Sequence, residues 1–153
     1  AARAPAGLAR LVLADAVGAR PRRSLPRVLA ARLRDALDPA EWGLNVRAAP
    51  HVVGNLWRHP RSWLYQVRAG ALADVLGEAG SVRVPVLLAW GRRDRTMPLV
   101  CARRFAAALP SASIVVGPGS HDGLITHPEA FARALRSFAA STAGPAPGEP
   151  GSG

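Results

Sequence analysis

A chain of 153 residues, 49% of them hydrophobic, is long enough to bury the core of one domain. Its longest apolar run, Val84 to Trp90, falls far short of the roughly 20 residues a membrane-crossing helix needs, and a lone Cys101 excludes an internal disulfide. The formal charge of +10 comes from twenty basic residues that are all Arg, scattered without aromatic interleaving or a recognition helix, which argues against nucleic acid as a partner.

In chain order, Ala1 to Gly7 shows neither an initiator Met nor an apolar h-region, so the sequence suggests a chain opened in mid-protein rather than a signal peptide. With its free cysteine, that gives a cytoplasmic expectation. Leu8 to Ala14 is a short apolar run closed by Asp15 and Gly18, and it fits a parallel strand. Ser24 is placed to cap a helix from Leu25 to about Leu37, with Pro26 in the first turn. Leu25, Val28, Leu29, Leu33, Ala36 and Leu37 form its apolar face, with Asp35 off it. Asp38-Pro39-Ala40-Glu41 is a second start signal of cap, proline and acid, and Trp42-Gly43 suggests that the helix it opens is short or broken. Residues 45–63 read poorly, punctuated by Pro50, Gly54 and Pro60. Arg61 to Leu76 reads as a helix burying Leu64, Val67, Leu72, Val75 and Leu76, ended by Gly77 and Gly80.

Beyond Ser81 the pattern changes. Pro85 to Trp90 is the near-continuous apolar run of a strand covered on both faces, with proline tolerable only at its start. Met97 to Leu109 reads as a helix, Ala112 to Val116 as a second buried strand and Pro118-Gly119 as a turn. Thr126-His127-Pro128-Glu129 repeats the start signal before a last helix with Phe131, Ala134, Leu135 and Phe138 on one face. Residues 141–153 have almost nothing to bury and are expected to be disordered. The alternation implies an α/β fold with a parallel sheet. Three strands leave one side of the sheet unpaired, a surface for self-association.

Two residues carry candidate chemistry. Asp94 follows a strand and a glycine, at the strand end where open α/β sheets place ligands. A carboxylate there can hold the N–H of an imidazole and stabilise its charged form; the plainer alternative is a turn aspartate paired with Arg92, Arg93 or Arg95. His121 comes 27 residues later, again just past a strand, on a loop opened by Gly117 and Gly119. It suits proton transfer near neutral pH, with a solvent-exposed loop histidine as the alternative. The histidines at 51, 59, 121 and 127 show no metal-ligand spacing, so no metal or organic cofactor is expected. Gly117-x-Gly119 lacks the further glycine of a dinucleotide loop.

These motifs together resemble the α/β-hydrolase superfamily. Val84 to Trp90 with Gly91-x-x-Asp94-x-x-x-Pro98 resembles its seventh strand and acid loop, and Pro118-Gly119-Ser120-His121 its histidine loop. His127-Pro128-Glu129-Ala130-Phe131 resembles the start of its last helix, and Leu11 to Gly18 its sixth strand. The resemblance covers residues 8–140. It implies a partial α/β-hydrolase fold, the last parallel strands of the sheet with a helical cap insertion: 8–18 as a core strand, 19–80 as the cap and 81–140 as the C-terminal part of the core. It implies Asp94 as the triad acid and His121 as the general base. Asp15 is a weaker acid candidate, with a structural role at the strand end the simpler reading. Trp42, Trp57, Trp63 and Tyr65 are candidates to line an apolar pocket under the cap.

The family's nucleophile sits after an earlier strand, on a Gly-x-Ser-x-Gly elbow, and these 153 residues contain no such motif. Cys101, inside an expected helix, is no substitute. The resemblance therefore implies that the intact protein hydrolyses a small apolar carboxylic ester and that this chain alone is inactive. An aspartate nucleophile would turn the same pair to epoxide or haloalkane hydrolysis. A non-catalytic or truncated relative is the remaining alternative.

Overall fold

A computed structural model describes residues 7–22 and 24–141. The expected disordered tail therefore lies, except for Ser141, outside the described residues. Three parallel strands, β1 (Leu11–Ala14), β2 (Val86–Gly91) and β3 (Ala112–Gly117), form one sheet in the order β1-β2-β3. β1 is shorter than its apolar run suggested. Its pairing starts at Leu11 opposite Val86, where Leu11 N–H donates to the Pro85 carbonyl. Pro85 has no N–H to return, so the ladder has no donor to continue past it.

β2 is buried along its whole length. Val86, Leu88 and Trp90 face helix α5 (Leu99–Ala108) and pack with Cys101, Ala102, Phe105 and Leu109. The alternate residues point to the opposite face, as the period of a strand requires. There helix α7 (Pro128–Ala140) brings Phe131 over Gly117, leaving no room for a side chain at that glycine. Phe131, Ala134, Leu135 and Phe138 are the inward residues of α7, as the sequence pattern indicated. The sheet is thus sandwiched between helices, the layering an α/β alternation demands.

Between β1 and β2 the chain is helical. α1 (Leu25–Ala36) is followed by a 3-10 turn (Pro39–Glu41), α2 (Trp42–Arg58), α3 (Pro60–Leu72) and a single turn α4 (Leu76–Ala79). Three expectations fail here. The helix expected to be short or broken at Trp42-Gly43 is instead the 17-residue α2, which runs through Gly43, Pro50 and Gly54 and takes up most of the stretch 45–63 that read poorly. Pro50 is on its exposed side, so the proline's cost stays local, and an added Cβ at Gly43 would meet open space. In α3 the inward stripe is Trp63, Val67, Gly70 and Ala71, whereas Leu64 and Leu72 are exposed, as is Val75 after the helix ends. In α1, Asp35 is buried beside Val28 and Ala31, while Leu29, Leu33 and Leu37 are exposed. α2 is tied to α1 by Asn45 Nδ2–H donating to the Ala36 carbonyl at 3.1 Å. Among the described residues no helix is long and apolar enough to cross a membrane.

Candidate active site

Parallel strands bring their C-terminal ends to one rim, and each of the three ends in a residue able to move protons. Asp15 follows β1, Asp94 follows β2 and His121 follows β3. One ligand-type atom from each lies within 4.8 Å of the others. The two residues singled out in the sequence thus meet directly: Asp94 Oδ2 is 3.0 Å from His121 Nδ1. A carboxylate accepts, so Nδ1 carries the hydrogen and Nε2 is the nitrogen left to take a proton.

Local bonds fix both partners. Asp94 is buried, and its Oδ1 accepts from Met97 N–H at 2.6 Å, closing a tight turn after β2. The Met97 carbonyl in turn accepts from the buried Trp90 indole N–H at 2.6 Å. The His121 loop approaches so closely that Gly91 is obligatory: a Cβ there would lie 2.0 Å from the Ser120 carbonyl oxygen. Gly119 is equally constrained, with φ of +93° and Gly123 Cα 2.6 Å from where its Cβ would be. Arg93 N–H donates to the Gly119 carbonyl at 2.9 Å, stitching the two loops together.

Burial alone would push the imidazole's pKa down, but the hydrogen bond and charge of Asp94 reverse this and leave it above its ordinary value. Arg32 opposes that rise and Asp15 adds to it. Asp122, next to His121 in sequence, is paired with Arg32 at 2.6 Å. Asp15 has a left-handed backbone (φ 41°), and its Oδ1 accepts from Gly91 N–H at 3.1 Å, the strand-end role expected of it. Its carboxyl is also pushed up to about 7, first by burial and then by the Asp94 charge, against the Gly91 bond. Asp15, Asp94 and His121 have the donor types of a metal site, yet Asp15 Oδ1 and the Asp94–His121 pair already engage in hydrogen bonds that suit proton transfer.

His121 also lines a cavity of about 610 Å³ between α1, α2, α3 and the strand rim. Its wall is mostly apolar, with Val28, Leu33, Val52, Val67 and Met97, and only a few polar groups such as Arg32, Asn45 and Gln66. Of the four aromatic candidates Trp63 alone lines it. Trp42, Trp57 and Tyr65 are exposed instead, Trp57 by 88%, because their positions on α2 and α3 turn away from the sheet. Cys101 is buried in α5, and burial pushes its thiol pKa up, the opposite of an activated nucleophile.

Two carboxylates that the sequence did not mark complete the site. Glu41 is fully buried, accepting from Ser120 N–H at 2.6 Å and from the Ser120 hydroxyl. Asp35, equally buried, accepts from Arg95 N–H at 3.1 Å, Thr96 N–H at 2.8 Å and Thr96 Oγ1–H at 2.7 Å. Glu41 stood in the start signal of the second helix, where Asp38 does cap Ala40 N–H. Asp35, placed off the apolar face of α1 by the sequence pattern, instead lies on its buried side with Val28 and Ala31.

No family model matches the chain. RutD of Caulobacter sp. (strain K31), a candidate carbamate hydrolase, is 34% identical over 107 residues, 67% of this chain and 40% of that protein. The RutD of Pseudomonas syringae pv. syringae (strain B728a), named in the same way, is 38% identical over 76 residues, 49% of this chain and 29% of that protein. The chain thus spans well under half the length of these curated relatives. Among solved structures, a bromoperoxidase from Bacillus anthracis matches 86% of this chain and 58% of its own with a TM-score of 0.68 at 18% identity. BpoC of Mycobacterium tuberculosis H37Rv, a candidate non-heme bromoperoxidase, matches 94% of this chain and 62% of its own with a TM-score of 0.64 at 22% identity. MGS-M2, an α/β hydrolase from a deep-sea metagenome library, covers 90% of the chain with a TM-score of 0.56. The chain has part of the α/β-hydrolase fold. It matches somewhat over half of the BpoC and Bacillus anthracis structures.

Proposed function

We propose that this chain is the acid- and base-bearing part of a hydrolase that cleaves small, mainly apolar carboxylic esters. The observation that carries the reading is the 3.0 Å contact of Asp94 Oδ2 with His121 Nδ1 at the wall of a largely apolar cavity. In this mechanism a serine from a part of the protein outside these residues attacks the ester carbonyl. His121 Nε2 takes the serine proton as the Oγ–C bond forms, and Asp94 stabilises the resulting imidazolium. The imidazolium then protonates the leaving alkoxide as its bond to carbon breaks. Water repeats the sequence on the acyl-enzyme, releasing acid and free serine. The helices α1 to α3 act as a cap that holds the apolar part of the ester and excludes water.

A carbamate substrate is a second reading, supported by the likeness to the two RutD proteins. The acyl chemistry is the same; the group on the carbonyl differs. The test uses the protein translated from the whole reading frame that contains these residues, assayed with 4-nitrophenyl butyrate and with an aryl carbamate. Saturable hydrolysis that His121→Ala reduces by on the order of 10³-fold or more is expected, with the isolated 153-residue chain inert. Hydrolysis unaffected by His121→Ala would refute the reading.

A further inference from the structure

Beyond the acid and base themselves, the helical insertion reaches down and grips both loops that carry them. Glu41 holds Ser120, the residue before His121, by backbone and side chain. Asp35 holds Arg95 and Thr96, the two residues after Asp94, through three hydrogen bonds to one carboxylate oxygen and a further contact from Arg95 Nη1 at 3.2 Å. Both carboxylates are completely buried. Removing an ionised group from water is expensive, and hydrophobic side chains at these positions would serve helix packing alone. Two acceptors aimed at backbone N–H groups, each next to a reacting residue, do something packing does not: they fix where those loops stand relative to each other.

We propose that Asp35 and Glu41 are positioning residues that set the Asp94–His121 contact, one from each side, so that the seating of the helical insertion assembles the acid–base pair. This rests on the acid–base reading of Asp94 and His121. The charged groups that act on the imidazole include Asp94, Arg32 and Asp15, with Asp122 beside it in sequence and paired to Arg32. A change in His121 that appears in Glu41→Ala but not in Glu41→Gln, which also removes the charge, is transmitted through the loop rather than by direct charge.

The experiment reads the His121 Nδ1–H proton resonance and the His121 titration by NMR in the protein translated from the whole reading frame that contains these residues, with no substrate present. Glu41→Ala and Asp35→Ala are expected to lose the resonance and to shift the titration downward. Glu41→Gln, which keeps an acceptor for Ser120 N–H, is expected to retain it. Leu109→Ala, a core change remote from the rim, serves as an equally destabilised control expected to keep it. Should either alanine variant fail to fold, Ser120→Ala and Asp35→Asn remove single links and are expected to weaken the resonance. Clamp variants that fold with the wild-type resonance and titration overturn the proposal, as does equal loss in Leu109→Ala. A wild-type chain without the resonance would instead refute the acid–base reading on which the clamp depends.

Discussion

Gly91→Ala is a one-carbon change with a calculable reach. The new methyl would lie 2.0 Å from the Ser120 carbonyl oxygen and 3.1 Å from that of Gly119. Carbon–oxygen contacts relax at about 3.3 Å, so the His121 loop must retreat by roughly 1.3 Å. Two bonds to other elements resist this, Arg93 N–H to the Gly119 carbonyl at 2.9 Å and Ser120 N–H to Glu41 Oε1 at 2.6 Å. The 3.0 Å Asp94–His121 contact would be carried past the limit of a hydrogen bond. Overpacking of this kind costs about 1–3 kcal/mol of stability. A misplacement of about 1 Å at a reacting group lowers the rate by about 10²-fold, equivalent to about 2.7 kcal/mol in the barrier. The assay is kcat/KM for ester hydrolysis by the reading-frame protein, with thermal unfolding in parallel. A variant with kcat/KM within two-fold of wild type and an unchanged Tm would refute the argument that this glycine sets the approach of the two loops.

Other outcomes follow from the same geometry. Asp15 holds its proton up to about 7 when folded but releases it near 3.9 when unfolded, so the stability this proton contributes is full below about 4 and lost as pH rises to about 7. Asp15→Asn keeps the acceptor for Gly91 N–H and removes that loss; chemical denaturation at pH 5 and pH 8 should show a smaller drop than in wild type, and parallel drops would contradict it. Arg32 lowers the His121 pKa, so Arg32→Ala should move the titration upward, and a downward shift would contradict the assignment. The hydrolysis rate should rise with pH as His121 loses its proton, through a midpoint above its ordinary value of about 6.5. Leu88, fully buried at the centre of β2, should cost about 2–5 kcal/mol on replacement by Ala, seen as a fall in Tm of roughly 4–20 °C, and an unchanged Tm would contradict it.

The rim was legible in the sequence because a strand buried on both faces leaves an unbroken apolar signature. The turn that follows it must then be glycine-rich to let loops pass. Pro85 to Trp90 gave β2 in this way. Ala112 to Val116 gave β3 as a strand but not as a buried one, since Ser113 and Ile114 are exposed on the outer strand of the described sheet. Asp94 and His121 fell at the ends of the two. The insertion was less legible. Its helices pack on one another at the surface rather than in a core, so α2 buries no residue completely and its exposed Val52, Val53 and Trp57 blur any periodicity. Proline and glycine in α2 signalled a break that solvent-facing positions did not enforce. Glu41 and Asp35 were invisible for a different reason: a buried carboxylate is defined by its donors, and Ser120 and Thr96 lie about 80 and 60 residues away in the chain. No local pattern records such a pair.

The most direct test of the account is the His121 titration in wild type and in Asp94→Asn. The wild-type imidazole should titrate above its ordinary value, because the Asp94 bond and charge outweigh the opposing effect of burial. With Asp94→Asn, burial and Arg32 should prevail and carry the titration below that value, with hydrolysis reduced on the order of 10³-fold or more. Identical titrations in the two proteins would contradict the claim that Asp94 and His121 work as one acid–base pair.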